Sequence, residues 1–244
     1  MKSLLAIYLR EIMILKRRLG RQALAMSVSP LLYVLTFGLA LGGSVQVDGH
    51  KYLEFLIPGL AAMSSMTQAF AMAGEINVAR FYLHVFEEFQ AAPIPRVSYV
   101  LGEALAGLTR ALLAIAIVLA LGLLFGVRLN YGLAFWAALI LNAVSFASLA
   151  VAMAMLVKTH ADQALLNNFI ITPMAFLGGT FFPLESLPGW ARSTLSLLPL
   201  SHASKAARNS AFGLDTPLND YLYLAVTALA FTLLAIWAVS LARD

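Results

Sequence analysis

Few side chains in this 244-residue chain could do chemistry, and their spacing argues against catalysis. General acid–base work needs two titratable groups held together. Glu87 and Glu88 are the only adjacent carboxylates, and the four histidines, His50, His84, His160 and His202, form no pair with one another. There is no cysteine, which excludes thiolate nucleophiles, thiolate metal sites and disulfides. No HExxH pair is present, and no GxxxxGK[ST] loop, so ATP hydrolysis by the P-loop route is excluded. Nor does any apolar stretch carry a cluster of carboxylates of the kind that relays protons. The chain reads as a non-enzyme that binds no cofactor of its own. It is either a passive membrane component or the membrane half of a machine powered by another subunit.

Composition says what must position the remaining polar groups. The chain is 61% hydrophobic and 11% charged, against about 25% charged in soluble domains. Its surface therefore mostly faces something other than water, and the fold class expected is an all-α membrane protein. A membrane-crossing helix needs about 20 apolar residues. Six stretches qualify: Gln22–Gly42, Phe55–Gly74, Gly107–Val127, Leu133–Leu156, Ala164–Phe182 and Tyr221–Leu241. Pro30 and Pro173 are expected to kink their helices. Residues 1–21 place Leu4, Leu5, Tyr8, Ile12 and Leu15 on one face and Arg10, Arg17 and Arg21 on another, the pattern of an amphipathic interface helix. A basic flank that orients the first span is a compatible reading.

The net charge of +4 is read as orienting the chain in a membrane rather than as a nucleic-acid surface. Lys2, Arg10, Lys16, Arg17, Arg18, Arg21, Arg80, Arg96, Lys158 and Arg243 fall at one side of the six spans. Lys51, Arg128, Arg192, Lys205 and Arg208 fall at the other. Lys and Arg concentrate on the cytoplasmic side, so both termini are expected in the cytoplasm. The single domain 1–244 then divides into the interface helix, spans one to five over 22–182 with a cytoplasmic region at 80–98, an outer segment 183–220, and span six at 221–241.

Within the spans, Arg110 is the sole Lys or Arg. It either snorkels to the interface or pairs with a carboxylate. Glu103 lies two turns back, about 10 Å along the axis, which makes Glu75 the better partner. Ser64, Ser65, Thr67 and Gln68 on span two, and Asn167, Asn168 and Thr172 on span five, either line a polar path or hydrogen-bond between packed helices. The same choice applies to Asn142, Ser145 and Ser148 on span four. Two GxxxG pairs, Gly38–Gly42 and Gly122–Gly126, allow close helix approach.

Between spans two and three the chain reads FEEFQAAPIPRVSYVLGE. Phe81, Val85, Phe86 and Phe89 continue a helical apolar face, Glu87 and Glu88 point outward, and Pro93 and Pro95 fix the backbone and stop the helix. A short helix with a stiff corner and charge for docking makes a handle on which a cytoplasmic partner could push. A helix merely lying on the bilayer has much the same appearance. Beyond span five, PLESLPGWARSTLSLLPLSH is half apolar and broken by Pro183, Pro188 and Pro199, which suits a segment at the interface or dipping back into protein.

These stretches carry a resemblance. YLEFLIPGLAAMSSMTQAF, EEFQAAPIPRVSYVLGE and ITPMAFLGGTFFPLESLPGWARSTLSLLPLSH resemble the start of span two, the cytoplasmic coupling region, and span five with its outer re-entrant segment in the membrane subunits of ABC-2 type exporters. That family includes polysaccharide, nodulation-factor and drug exporters. The resemblance covers most of the chain. It implies six spans, an N-terminal interface helix and a re-entrant segment between spans five and six. It further implies that Glu87, Glu88, Phe89, Pro93, Pro95 and Arg96 dock on a separate ATPase subunit, which would hold the ATP and Mg. Two permease chains, alike or different, would join two ATPase chains in a bacterial inner membrane. An amphipathic or lipid-linked substrate would pass between protomers beside spans one, two and five. Arg110 departs from the family pattern, so no role is carried to it. A passive channel or secondary carrier without an ATPase is the alternative.

Overall fold

A computed structural model of the chain describes residues 2–41, 45–47, 49–83, 85, 86, 89 and 94–242. Helix α1 (Lys2–Leu41) runs 40 residues without a break, about 60 Å at 1.5 Å per residue. The expected interface helix and first span are thus one continuous rod. Ala, Leu, Met and Arg lie on both sides of Gly20, and good helix formers carry the helix through that glycine. The buried stripe at its start is Ile7, Glu11 and Leu15, while Leu5, Leu9 and Met13 face outward. This corrects the apolar face assigned from the sequence, which included Leu5. Packing sets the stripe: at Gly102 a Cβ would lie only 2.9 Å from Ile7 Cβ, so the absent side chain lets α1 close on its neighbour there.

A two-residue ladder, β1 (Gln46–Val47) against β2 (His50–Lys51), turns at Gly49 and leads into α2 (Tyr52–Phe70). After Ala71, helix α3 (Met72–Phe81) continues the course. Helix α4 (Arg96–Leu124) starts at Arg96 rather than at Gly107. VSYVLGEAL, ahead of Gly107, is itself apolar and free of helix breakers other than one glycine. Pro95, extended at φ −59° and ψ 137°, marks the boundary. Helix α5 (Leu133–Leu156) has the bounds expected of span four.

The expected fifth span is composite. Helix α6 (His160–Leu166), a π-helical turn (Asn167–Ile171) and α7 (Thr172–Leu177) follow one another. Pro173 supplies the reason, since it has no N–H to give and its ring crowds the carbonyl one turn back. The wider turn relieves this, and the Thr172 N–H and hydroxyl both reach the Asn167 carbonyl. A 3-10 turn (Leu184–Ser186), α8 (Gly189–Leu195), α9 (Pro199–Ala211) and α10 (Leu218–Leu241) complete the chain.

Helix α4 lies along α2, α5 and α1, and α10 packs along α5. The α4–α5 contact is close because Gly107 has no side chain, and a Cβ there would meet Ala147 Cβ at 2.7 Å. Phe55, Phe135 and Phe146 fill the interior. Helix α9 buries Leu200, Ala203, Ala206 and Ala207 against α2, α5 and α10, so the segment after span five is packed protein and not a free loop. Among the described residues, four helical stretches are long and apolar enough to cross a membrane: Tyr52–Phe81, Arg96–Leu124, Leu133–Leu156 and Leu218–Leu241. The first and fifth of the six expected spans correspond to the apolar half of α1 and to the α6–π–α7 rod.

Candidate functional site

The bundle has two chemically different ends. At one, the Arg80 guanidinium donates to the Met155 carbonyl (2.5 Å) and the Asn77 amide to the Val157 carbonyl (2.9 Å), joining α3 to the end of α5. At the other, the Tyr52 hydroxyl donates to the Phe181 carbonyl (2.8 Å) and the Asn130 N–H to the Ala211 carbonyl (3.3 Å). Arg10, Arg18 and Arg80 line one cavity at the first end, and Arg96 begins α4 there.

That first end holds the handle segment. Phe86 is buried, and its ring meets Tyr99 edge-on with centroids 5.5 Å apart. Phe89 meets the same tyrosine at 5.5 Å. The guanidinium of Arg80 lies 5.3 Å from the Phe86 ring and that of Arg10 lies 5.6 Å from the Phe89 ring. Aromatic contacts thus seat Phe86 and Phe89 on α4, with cations from α3 and α1 over the rings. Pro95 and Arg96 are exposed. Glu87, Glu88 and Pro93 lie outside the described residues.

The structure brings Arg110 and Glu75 together. The Arg110 guanidinium makes two parallel bonds to the carboxylate, Nη1 to Oε1 at 2.6 Å and Nη2 to Oε2 at 2.7 Å. The arginine side chain is 5% exposed and the glutamate 46%, so the pair spans from interior to surface. It ties α3 to α4 by a planar two-point bond that lysine could not reproduce.

A second cavity, about 320 Å³, separates the polar residues into two groups. Ser64, Thr67 and Gln68 from α2, Asn167 and Thr172 from the composite rod, and Ser29 from α1 line one groove, with Tyr33, Met63 and Phe176 as its apolar walls. Among the described residues, no charged side chain lines it. Ser65 turns the other way and accepts from the Asn142 amide at 2.8 Å. Ser148 pairs with Thr232 at 2.9 Å, and Ser145 donates to the Leu224 carbonyl of α10 at 3.5 Å. These join helices in the interior. Asn168 is exposed and does not line the groove.

Sequence reasoning missed Arg208. In the sequence it reads only as a charge at one membrane side, yet its guanidinium donates to the Phe55 carbonyl (3.2 Å) and the Gly179 carbonyl (2.8 Å) and lies 3.6 Å from the Phe55 ring centroid. The signal available was the small-residue stripe Ala203, Ala206 and Ala207 just before it, which marks α9 as a packed helix. His202 and Asp220 were also missed. Nδ1 of His202 lies 2.6 Å from Asp220 Oδ1, linking α9 to α10.

Comparison with known proteins matches this arrangement to a family. Residues 2–212 match the model of the family described as ABC-2 type transporter. The chain is 31% identical over 213 residues to the inner membrane transport permease YadH of Escherichia coli (strain K12), covering 85% of this chain and 82% of that one. It is 32% identical over 210 residues to nodulation protein J of Rhizobium meliloti (strain 1021), covering 84% and 79%. It is 24% identical over 196 residues to the daunorubicin resistance ABC transporter permease protein DrrB1 of Streptomyces coeruleorubidus, covering 79% and 69%. With three apolar helices of membrane-crossing length within the matched residues, the chain belongs to the ABC-2 type transporter family, as a membrane permease of an ABC transporter.

Proposed function

We propose that this permease is the six-span, dimer-forming half of an ATP-driven exporter in a bacterial inner membrane, with both termini in the cytoplasm. The observation that carries the reading is the seating of Phe86 and Phe89 on Tyr99 of α4 under Arg80 and Arg10. A segment so clamped moves with the helices it touches and passes on a push, whereas a loose loop absorbs it. Two ATPase subunits, holding ATP and Mg, dock on region 80–98 through Glu87, Glu88, Phe89, Pro93, Pro95 and Arg96. Closure of the ATPase pair shifts the permease helices as rigid bodies. The segment 183–220, with α9 re-entering between the helices, shapes the exit.

The groove between α1, α2 and the composite rod is the contact surface for the substrate. Hydroxyls and amides with apolar walls, and no charge among the described residues, suit an amphipathic or lipid-linked molecule presenting a neutral polar portion there. Thr67→Trp fills this groove and is expected to cut transport by about tenfold, a barrier change of roughly 1.4 kcal/mol. ATPase copurification should be unchanged. Transport at the wild-type rate with Trp at position 67 removes the groove from the path.

The experiment that tests the whole reading is affinity capture of the tagged permease from its native membrane in mild detergent, beside a Glu87→Lys/Glu88→Lys variant. A P-loop ATPase captured with wild type and lost with the variant is the expected result. Capture by both keeps the exporter and removes the docking assignment. An intact permease that captures no ATPase favours a passive channel or secondary carrier.

A further inference from the structure

The cavity at the basic end holds a carboxylate that neither the ion pairs nor the handle uses. It is about 590 Å³, inside the range of small-molecule sites, and is lined by Arg10, Glu11, Arg18, Glu75, Arg80, Phe86, Phe89, Tyr99 and Glu103 among others. Glu103 is 2% exposed, and its Oε2 has no hydrogen-bond partner among the described residues. Three of the cations around it bond elsewhere. Arg10 is bonded to Glu11, Arg110 to Glu75, and Arg80 to the Met155 carbonyl. Protonating Glu103 does not settle the matter, because a neutral carboxyl still leaves a buried donor and acceptor to satisfy. Among the described residues no three acidic or imidazole groups converge to ligate a metal ion.

We propose that this cavity binds a primary ammonium group, with Glu103 as its counter-ion. An ammonium offers three donors and favours the faces of aromatic rings. Glu103 and Glu11 supply acceptors, and Phe86, Phe89 and Tyr99 supply ring walls. Arg18, exposed on the lining, is placed to hold an anion beside the ammonium. An ammonium joined to a phosphate therefore fits both halves. Leu5, Leu9 and Met13, at four-residue spacing, make an exposed apolar stripe on α1 at this level. Such a stripe would bring lipid to the cavity mouth. The same chemistry is available from an aminophospholipid headgroup or from a free small amine. This inference does not depend on transport or on the ATPase.

The test uses the full-length permease in nanodiscs whose lipids are either phosphatidylethanolamine with phosphatidylglycerol or phosphatidylcholine with phosphatidylglycerol. Choline carries the same charge but has no N–H to donate. The expected result is a Tm higher by about 5 °C with ethanolamine headgroups, and loss of that difference in Glu103→Gln. Added phosphoethanolamine that stabilises the detergent-solubilised wild type identifies a free amine as sufficient, whereas an effect of the diacyl lipid alone identifies the headgroup. Equal Tm in both nanodiscs together with no response to phosphoethanolamine overturns the proposal, as does a difference that persists in Glu103→Gln. If Glu103→Gln does not fold, infrared difference spectra of wild type decide. A protonated-carboxyl band present with choline and lost with ethanolamine supports the site, and an unchanged band overturns it.

Discussion

Glu75→Gln is expected to destabilise the permease by about 2–3 kcal/mol, while Arg110→Met costs under about 1 kcal/mol. The two halves of one ion pair differ because their surroundings differ. The Arg110 side chain is 5% exposed, so removing its partner strands a guanidinium in the interior. Glu75 is 46% exposed, so without Arg110 its carboxylate returns to water. Breaking a buried pair by removing one partner generally costs about 3–5 kcal/mol. The lower figure here allows for the screening at the half-exposed glutamate. The double variant Glu75→Gln/Arg110→Met should melt close to Arg110→Met alone. Thermal melts of the four proteins in one detergent close the cycle. Equal costs for the two single variants would sink this reading, because they would mean that burial does not govern the pair.

Arg208→Ala is expected to destabilise by about 2–4 kcal/mol and to free the segment 183–213. The guanidinium makes hydrogen bonds to two backbone carbonyls on different elements, each worth roughly 1.5–3 kcal/mol to a charged donor, and lies over the Phe55 ring. The contact is tight. At Gly59 a Cβ would lie 3.0 Å from the Arg208 guanidinium and 2.8 Å from the Thr180 carbonyl oxygen. With alanine at position 208, α9 keeps its alanine stripe but loses its tie to α2 and to the turn at Gly179. Limited proteolysis of the detergent-solubilised protein should then cut near α8, between the prolines at 183 and 199. Arg208→Lys keeps the charge but cannot reach both carbonyls with a planar fork, so it should fall between wild type and alanine. An alanine variant as protease-resistant as wild type would show that α9 is held by apolar packing alone.

How much could be read without the fold depended on the range of the interaction. Hydrophobic length alone located the long apolar helices, because a stretch such as Leu133–Leu156 has no other way to satisfy its backbone in lipid. The missing P-loop and cysteines set limits on chemistry, since those motifs are local in sequence. The Arg110–Glu75 pairing was within reach because the alternative, Glu103, sat too far along the same helix. Beyond that the sequence was ambiguous. The serines and amides at 64, 65, 67, 68, 142 and 167 read alike along the chain. Only packing turned Ser65 and Asn142 toward each other and Ser64, Thr67 and Asn167 into a groove. The buried stripe of α1 was set by the gap at Gly102, not by its own apolar period. Arg208 and Glu103 gained their partners, or lack of them, from residues dozens of positions away.

The sequence by itself determined that this is a helical membrane protein, because hydrophobic length is a property of short segments. Only the tertiary structure decided which polar side chains meet. Burial and hydrogen bonding depend on which helices lie together, and a single glycine without a Cβ can change that choice.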